Sequence, residues 1–210
     1  MNNIDLNYFI INLLALLIVI IPHEIAHGYV AYLCGDKTSK DDGRISLNPL
    51  KHIDPIGLIF MILFKFGWAK PVPINPSNFT KNKKFSIFAV SIAGVFVNLL
   101  MGFIVGIFFV YSYYKNLFVT PLVQSVFWYS IMLGLFNLVP LPPLDGSKIV
   151  VSLLPDKYQH FFYKYERYFY IILVLLLFSG KIAEFISPII SIIMDNILKI
   201  GVKIWGIILY

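Results

Sequence analysis

The pentapeptide His23-Glu24-Ile25-Ala26-His27 lies inside an apolar run from Tyr8 to Leu33. A run of that length is enough to cross the roughly 30 Å hydrocarbon core of a bilayer as a helix, so any fold of this chain must place two imidazoles and a carboxylate below a membrane surface. Ionisable side chains at such depth cost on the order of 2.5–3.5 kcal/mol each on insertion scales and mark function by default. Some partner has to offset that cost.

A divalent metal ion meets the requirement. Histidines four residues apart fall on one face of a helix about one turn apart, so His23 and His27 can point at a single ion while Glu24 stands beside it. The pattern HExxH reads as two zinc ligands and a general base that activates a zinc-bound water. The competing reading is two buried histidines bonded to backbone carbonyls. Haem ligation is excluded on geometry, because two residues of one helical face cannot supply opposite axial positions.

Composition supports the membrane assignment. Hydrophobic residues make up 59 % of the chain and charged residues 13 %, with a mean hydropathy of +0.80, against about 25 % charged in soluble proteins. The amino-terminal run is expected to stay in the protein: no Lys or Arg precedes it, no small-residue cleavage site follows it, and the metal motif occupies it. The formal charge of +6 does not indicate nucleic acid, since no basic cluster with interleaved aromatics stands outside the apolar segments. The single cysteine, Cys34, has no partner for an internal disulfide and is read as packing.

Further apolar segments of spanning length are about Phe85–Tyr114, Pro121–Val139 and Phe161–Gly180, and a fifth, Phe185–Tyr210, is read as a span or as an interfacial helix. In that fifth segment Asp195, Lys199 and Lys203 recur every four residues as a polar stripe. Between the first two spans, Pro49, Pro55, Pro71, Pro73 and Pro76 with Gly43, Gly57 and Gly67 favour turns and short strands over helix. The apolar run Ile56–Phe64 within it is too short to cross and reads as re-entrant. Irregular backbone at membrane depth implies a water-filled cleft. The expectation is an all-α polytopic membrane protein, with about five transmembrane helices and a re-entrant loop or short-strand region, forming a single membrane-embedded domain over residues 1–210.

Orientation follows from the cationic residues. Lys37, Lys40, Arg44, Lys51, Lys65, Lys70, Lys81, Lys83 and Lys84 in the first loop, and Lys148, Lys157, Lys164 and Arg167 further on, outweigh Lys115 and Lys181 on the other side. The positive-inside rule then places the amino terminus outside and the motif toward the cytoplasm of a multi-pass cell-membrane protein.

Two imidazoles need at least one more protein ligand, with a fourth position open for water in a catalytic site. Two intramembrane acids compete for the role. Asp145 follows the third long span, at the depth of His27, behind the helix-breaking Pro140, Pro142 and Pro143 and before Gly146, which permits close backbone approach. Asp195 is the weaker candidate, and Asp145 could equally cap the helix that starts near Ser147. Asn137 reads as a buried amide on the broken backbone or as a functional one.

Several separated stretches together resemble the site-2 proteases, the zinc-dependent intramembrane peptidases. They are HExxH in the first membrane helix, Gly43 to Gly57 with Asn48 and His52, Phe66 to Pro73, Ala93-Gly94 with Asn98, and Asn137 to Gly146, all in the expected order. The resemblance runs from about His23 to Lys148. It implies one zinc ion per chain held by His23, His27 and Asp145, with Glu24 as catalytic base and Asn137 in the cleft to hold substrate or polarise its carbonyl. Val95 stands where family members often carry proline, which alters a helix kink and leaves the ligands untouched. The likeness is to the compact branch without PDZ or CBS modules.

The implied reaction is hydrolysis of peptide bonds within or near transmembrane segments of membrane-protein substrates such as single-span regulators or signal-peptide remnants. Residues of Ile45–Leu50 or Val72–Ile74 are expected to pair with an unwound substrate strand; the competing reading is a loop that plugs the cleft. His52 reads as an interfacial turn histidine or as a partner of the site. The alternative function is a non-proteolytic metal-binding membrane protein, either an inactive homologue or a transporter. Transport fits poorly, because the intramembrane acids cluster toward one side, and an inactive homologue would have lost the base or a ligand. Oligomeric state is left open by the sequence.

Overall fold

The computed structural model describes residues 6–54, 57 and 70–209. Its helices are α1 (Leu6–Leu33), α2 (Thr38–Asp41), α3 (Lys83–Tyr114), α4 (Thr120–Phe136), α5 (Asp145–Leu153), α6 (Asp156–Lys164), α7 (Glu166–Phe178) and α8 (Lys181–Leu209). Short 3-10 turns at Pro49–Lys51 and Pro76–Asn78 break up the first loop. The expected re-entrant run Ile56–Phe64 lies almost wholly outside the described residues.

Three helices are long and apolar enough to cross a membrane, Leu6–Leu33, Lys83–Tyr114 and Lys181–Ile207, and Thr120–Phe136 is a shorter apolar helix. Leu14 and Ile18 on α1, with Phe96, Leu100, Phe103, Ile104 and Phe108 on α3, are exposed. A continuous apolar surface of that kind suits lipid rather than water. The run expected to span Phe161–Gly180 folds differently, as α6 and α7 divided at Tyr165. With 13 residues, α7 reaches only about 20 Å, short of the hydrocarbon core. The break falls where Lys164, Glu166 and Arg167 surround Tyr165, a charged cluster inside the otherwise aromatic and aliphatic run.

The bundle is built around α3. Its start is fixed by Asn82, whose side chain accepts a hydrogen bond from the Phe85 N–H at 3.2 Å. Against it α4 returns antiparallel, Phe127 facing Gly106 and Ile131 facing Gly102. α8 runs alongside α3 in the same direction: Ile197 packs at Gly106, Gly201 packs at Val110, and Trp205 Nε1 donates to the Ile107 carbonyl at 2.8 Å. Small residues let these backbones approach closely, which is how helices associate where no water drives them together. On the other side α1 contributes Ala15 and Val19, both fully buried against Val126.

Outside the bundle, Asp36 ties the first loop together. Its carboxylate is fully buried and accepts from Thr38 N–H (3.1 Å) and Oγ1 (2.5 Å), Asn75 N–H (2.7 Å) and Asn78 Nδ2 (2.9 Å). Burial opposes ionisation, but these donors outweigh it and hold the carboxyl below the usual aspartate value. A depressed folded-state value stabilises the fold above the ordinary carboxyl range, and the gain is lost as pH falls through the depressed value. Asp36→Ala should therefore lower the unfolding temperature at neutral pH, and the wild-type and variant curves should draw together as pH falls below the ordinary value of 3.8. Gly106→Leu should destabilise by about 1–3 kcal/mol through overpacking, because even a Cβ would lie 2.6 Å from Ile197 Cγ2 and Phe127 Cε2; thermal unfolding in detergent measures both.

Candidate metal centre

His23 and His27 sit one turn apart on the buried face of α1, 5 % and 6 % exposed. Their Nε2 atoms lie 3.0 Å apart. Asp145, on the first turn of α5 and also buried, brings Oδ2 to 3.3 Å from His23 Nε2 and 3.1 Å from His27 Nε2. These are the only three His, Cys, Asp or Glu residues among those described whose ligand atoms cluster within 4.8 Å of one another.

The protonation logic of this triangle is informative. His27 Nδ1 lies 2.7 Å from the Val90 carbonyl, which can only accept, so Nδ1 carries the proton and a neutral ring presents a lone pair at Nε2. That lone pair faces another imidazole nitrogen and a carboxylate oxygen. With the His23 proton on Nδ1, which is buried without a hydrogen-bond partner among the described residues, all three inward atoms are acceptors that a shared cation would satisfy. Tetrahedral ligands about 2.0–2.1 Å from zinc stand roughly 3.3–3.4 Å from one another, close to the observed separations of 3.0, 3.1 and 3.3 Å. The donor set therefore fits zinc, with a fourth corner left for water or substrate.

Two glycines make the convergence possible. A Cβ on Gly94 of α3 would strike His27 Nε2, and would lie 2.6 Å from Cε1 of each ring. A Cβ on Gly146 would run into the Leu138 and Val139 carbonyls. With that space kept clear, Gly146 N–H donates to the Asn137 carbonyl at 2.6 Å and closes the proline-rich turn that aims Asp145. Lys148, one turn on from Asp145, approaches its outer oxygen at 3.8 Å from a largely exposed position.

Glu24 turns away from the triangle to a different contact: its Oε2 accepts from the Val72 N–H at 2.8 Å. The sequence had singled out residues 72–74 as a strand edge, without signalling this bond. Among the described residues neither Ile45–Leu50 nor Val72–Ile74 is in a strand. The side chain of Asn137 donates to the Leu133 carbonyl of its own helix at 3.0 Å, which leaves its carbonyl oxygen available. His52 is fully buried in its turn and engages the Ser46 carbonyl at 2.7 Å, and it does not join the cluster. Asp195 is exposed on α8 and is likewise absent from it.

A buried pair of imidazoles and one carboxylate, with a second carboxylate on the same turn of helix, is the equipment of a metal-dependent hydrolase set in a helical membrane protein. Known proteins make the class specific. The profile of peptidase family M50 matches residues 114–180, which include Asn137 and Asp145. The Bacillus subtilis (strain 168) protein named "Putative zinc metalloprotease YwhC" is 38 % identical over 196 residues, covering 89 % of each chain. The chain belongs to peptidase family M50, the site-2 proteases. No solved structure matches it.

If the triangle is a zinc site, Asp145→Ala should weaken zinc binding by more than tenfold, while Asp195→Ala and His52→Ala leave it within about twofold. Competition with a chromophoric chelator on purified protein reads all three.

Proposed function

We propose that the protein is an intramembrane zinc endopeptidase that hydrolyses peptide bonds within or near the transmembrane segments of other membrane proteins. The observation that carries this reading is the meeting of three buried lone-pair donors within 3.3 Å of one another, on a helix whose next carboxylate, Glu24, stays outside the ligand set.

His23, His27 and Asp145 would hold one zinc ion. Zinc in such a site acidifies water to near neutrality and polarises a carbonyl as a Lewis acid. Glu24 takes the water proton and returns it to the leaving amine. Its Oε2 is already engaged by Val72, so Oε1 is the oxygen left for proton transfer. Asn137 stands one loop closure away from Asp145, and its Oδ1 can receive a substrate amide. The Val72 carbonyl and the Ile74 N–H, which make no hydrogen bond among the described residues, offer an unwound substrate a short stretch of backbone pairing.

The orientation read from the cationic loops extends to α8. Because α8 runs parallel to α3, its first turn lies on the cytoplasmic side with the start of α3. Lys181 then joins the cytoplasmic cations, which sharpens the asymmetry.

Glu24→Gln is the test. The variant should retain zinc at wild-type affinity and lose at least 100-fold in cleavage of a model transmembrane peptide in detergent or proteoliposomes. Zinc-loaded wild-type protein that cleaves no such peptide, or a Glu24→Gln variant that cleaves normally, would sink the proteolytic reading.

A further inference from the structure

We propose that Arg44, together with Ser39 and Gly28, is part of a positioning device for Glu24, acting through the backbone N–H of Val72; this rests on the reading of Glu24 as the general base.

Val72 lies between Pro71 and Pro73, neither of which has an N–H. The Lys70 N–H is spent on the His52 carbonyl at 2.8 Å. Within residues 70–73 the one amide left to meet the carboxylate is therefore that of Val72, and it does so at 2.8 Å. Three neighbouring carbonyls and the Asn75 amide are fastened from the loop that follows α1. Arg44 Nη2 donates to the Lys70 carbonyl at 2.8 Å and the Pro71 carbonyl at 3.1 Å. Ser39 Oγ donates to the Pro73 carbonyl, and Asp36 accepts from the Asn75 N–H at 2.7 Å.

The chemistry of Arg44 singles it out. It is 8 % exposed, and among the described residues no carboxylate pairs with it. A buried guanidinium without a counter-ion is costly. Here one terminal nitrogen, Nη2, donates its hydrogens to two consecutive carbonyls immediately before Val72, a contact that a lysine ammonium of similar reach can make in part. Ser39 is fully buried as well. Two buried side chains thus aim at three carbonyls that bracket one amide.

Gly28 supplies the room. It sits one turn after Glu24 on α1, and a Cβ there would lie 2.9 Å from Val72 Cγ1, 3.2 Å from Ser39 Cβ and 3.4 Å from Ile45 Cγ1. The loop can press against α1 closely enough for its amide to reach Glu24 only because position 28 has no side chain. With Oε2 pinned, the Glu24 carboxylate loses rotational freedom, and Oε1 is kept in one place. Catalytic groups need placement to about 0.5 Å, so slackening this hold should cost turnover and spare substrate affinity.

The experiment compares wild type, Arg44→Ala, Arg44→Lys and Gly28→Ala as full-length protein loaded with zinc. Turnover of a model transmembrane peptide should fall at least tenfold in Arg44→Ala and Gly28→Ala, recover in part in Arg44→Lys, and leave KM and zinc affinity within about threefold. Independently of activity, hydrogen exchange at the Val72 amide should speed up at least tenfold in Arg44→Ala and in Glu24→Ala. Unchanged Val72 protection in Arg44→Ala overturns the proposal even in a protein that cleaves nothing, and so separates its failure from that of the proteolytic reading. A parallel loss of turnover, zinc and thermal stability in both Arg44→Ala and Gly28→Ala would also overturn it, reducing the loop to a structural part.

Discussion

Three lone pairs pointed at one another inside a low-dielectric bundle form the interaction around which the rest of this protein is arranged. Left to themselves they repel, and each lacks the water that would otherwise solvate it. Their proximity is enforced by packing from outside: α3 brings the bare backbone of Gly94 against both rings, and the Asn137–Gly146 closure swings Asp145 inward. The Val90 carbonyl then fixes which nitrogen of His27 is basic. Holding three such groups together costs stability, a common trade where local structure disagrees with local energetics.

The bundle carries its own logic. Helices α3, α4 and α8 meet through glycines and close aliphatic contacts, which make a stiff scaffold. The loop between α1 and α3 is held in a contrasting way, by buried polar groups such as Asp36, Ser39, Arg44 and His52 that satisfy backbone. Close packing at Gly94 and two hydrogen bonds place His23, His27 and Asp145, and a hydrogen bond from the loop places Glu24. The two systems touch at α1, where His23 and Glu24 are consecutive residues facing different neighbours.

What the amino-acid sequence disclosed tracks the range of the underlying interaction. That His23 and His27 share one helical face was legible because a four-residue period is local. The approach of Asp145 was suggested by its proline-broken setting, with capping the other reading, and the structure puts its Oδ2 beside both rings. The division of 161–180 at Tyr165 was missed because hydropathy averages over the run, although Lys164, Glu166 and Arg167 cluster at the break. The bond between Glu24 and Val72 was hidden too: it joins residues 48 positions apart through a backbone atom, which side-chain patterns do not encode. His52 was left open between an interfacial turn and a partner of the site; it is fully buried in its turn, with its ring on the Ser46 carbonyl.

The course of α8 has a practical corollary. Its far end is anchored by Trp205 on Ile107, about 17 residues along α3 from Val90 at the His27 ring, a separation of roughly 25 Å. Fluorophores, affinity handles or reporters attached there would ride on the scaffold without crowding His23, His27 and Asp145. The same distance makes that end of α8 a suitable anchor for immobilising the protein with the opposite face free.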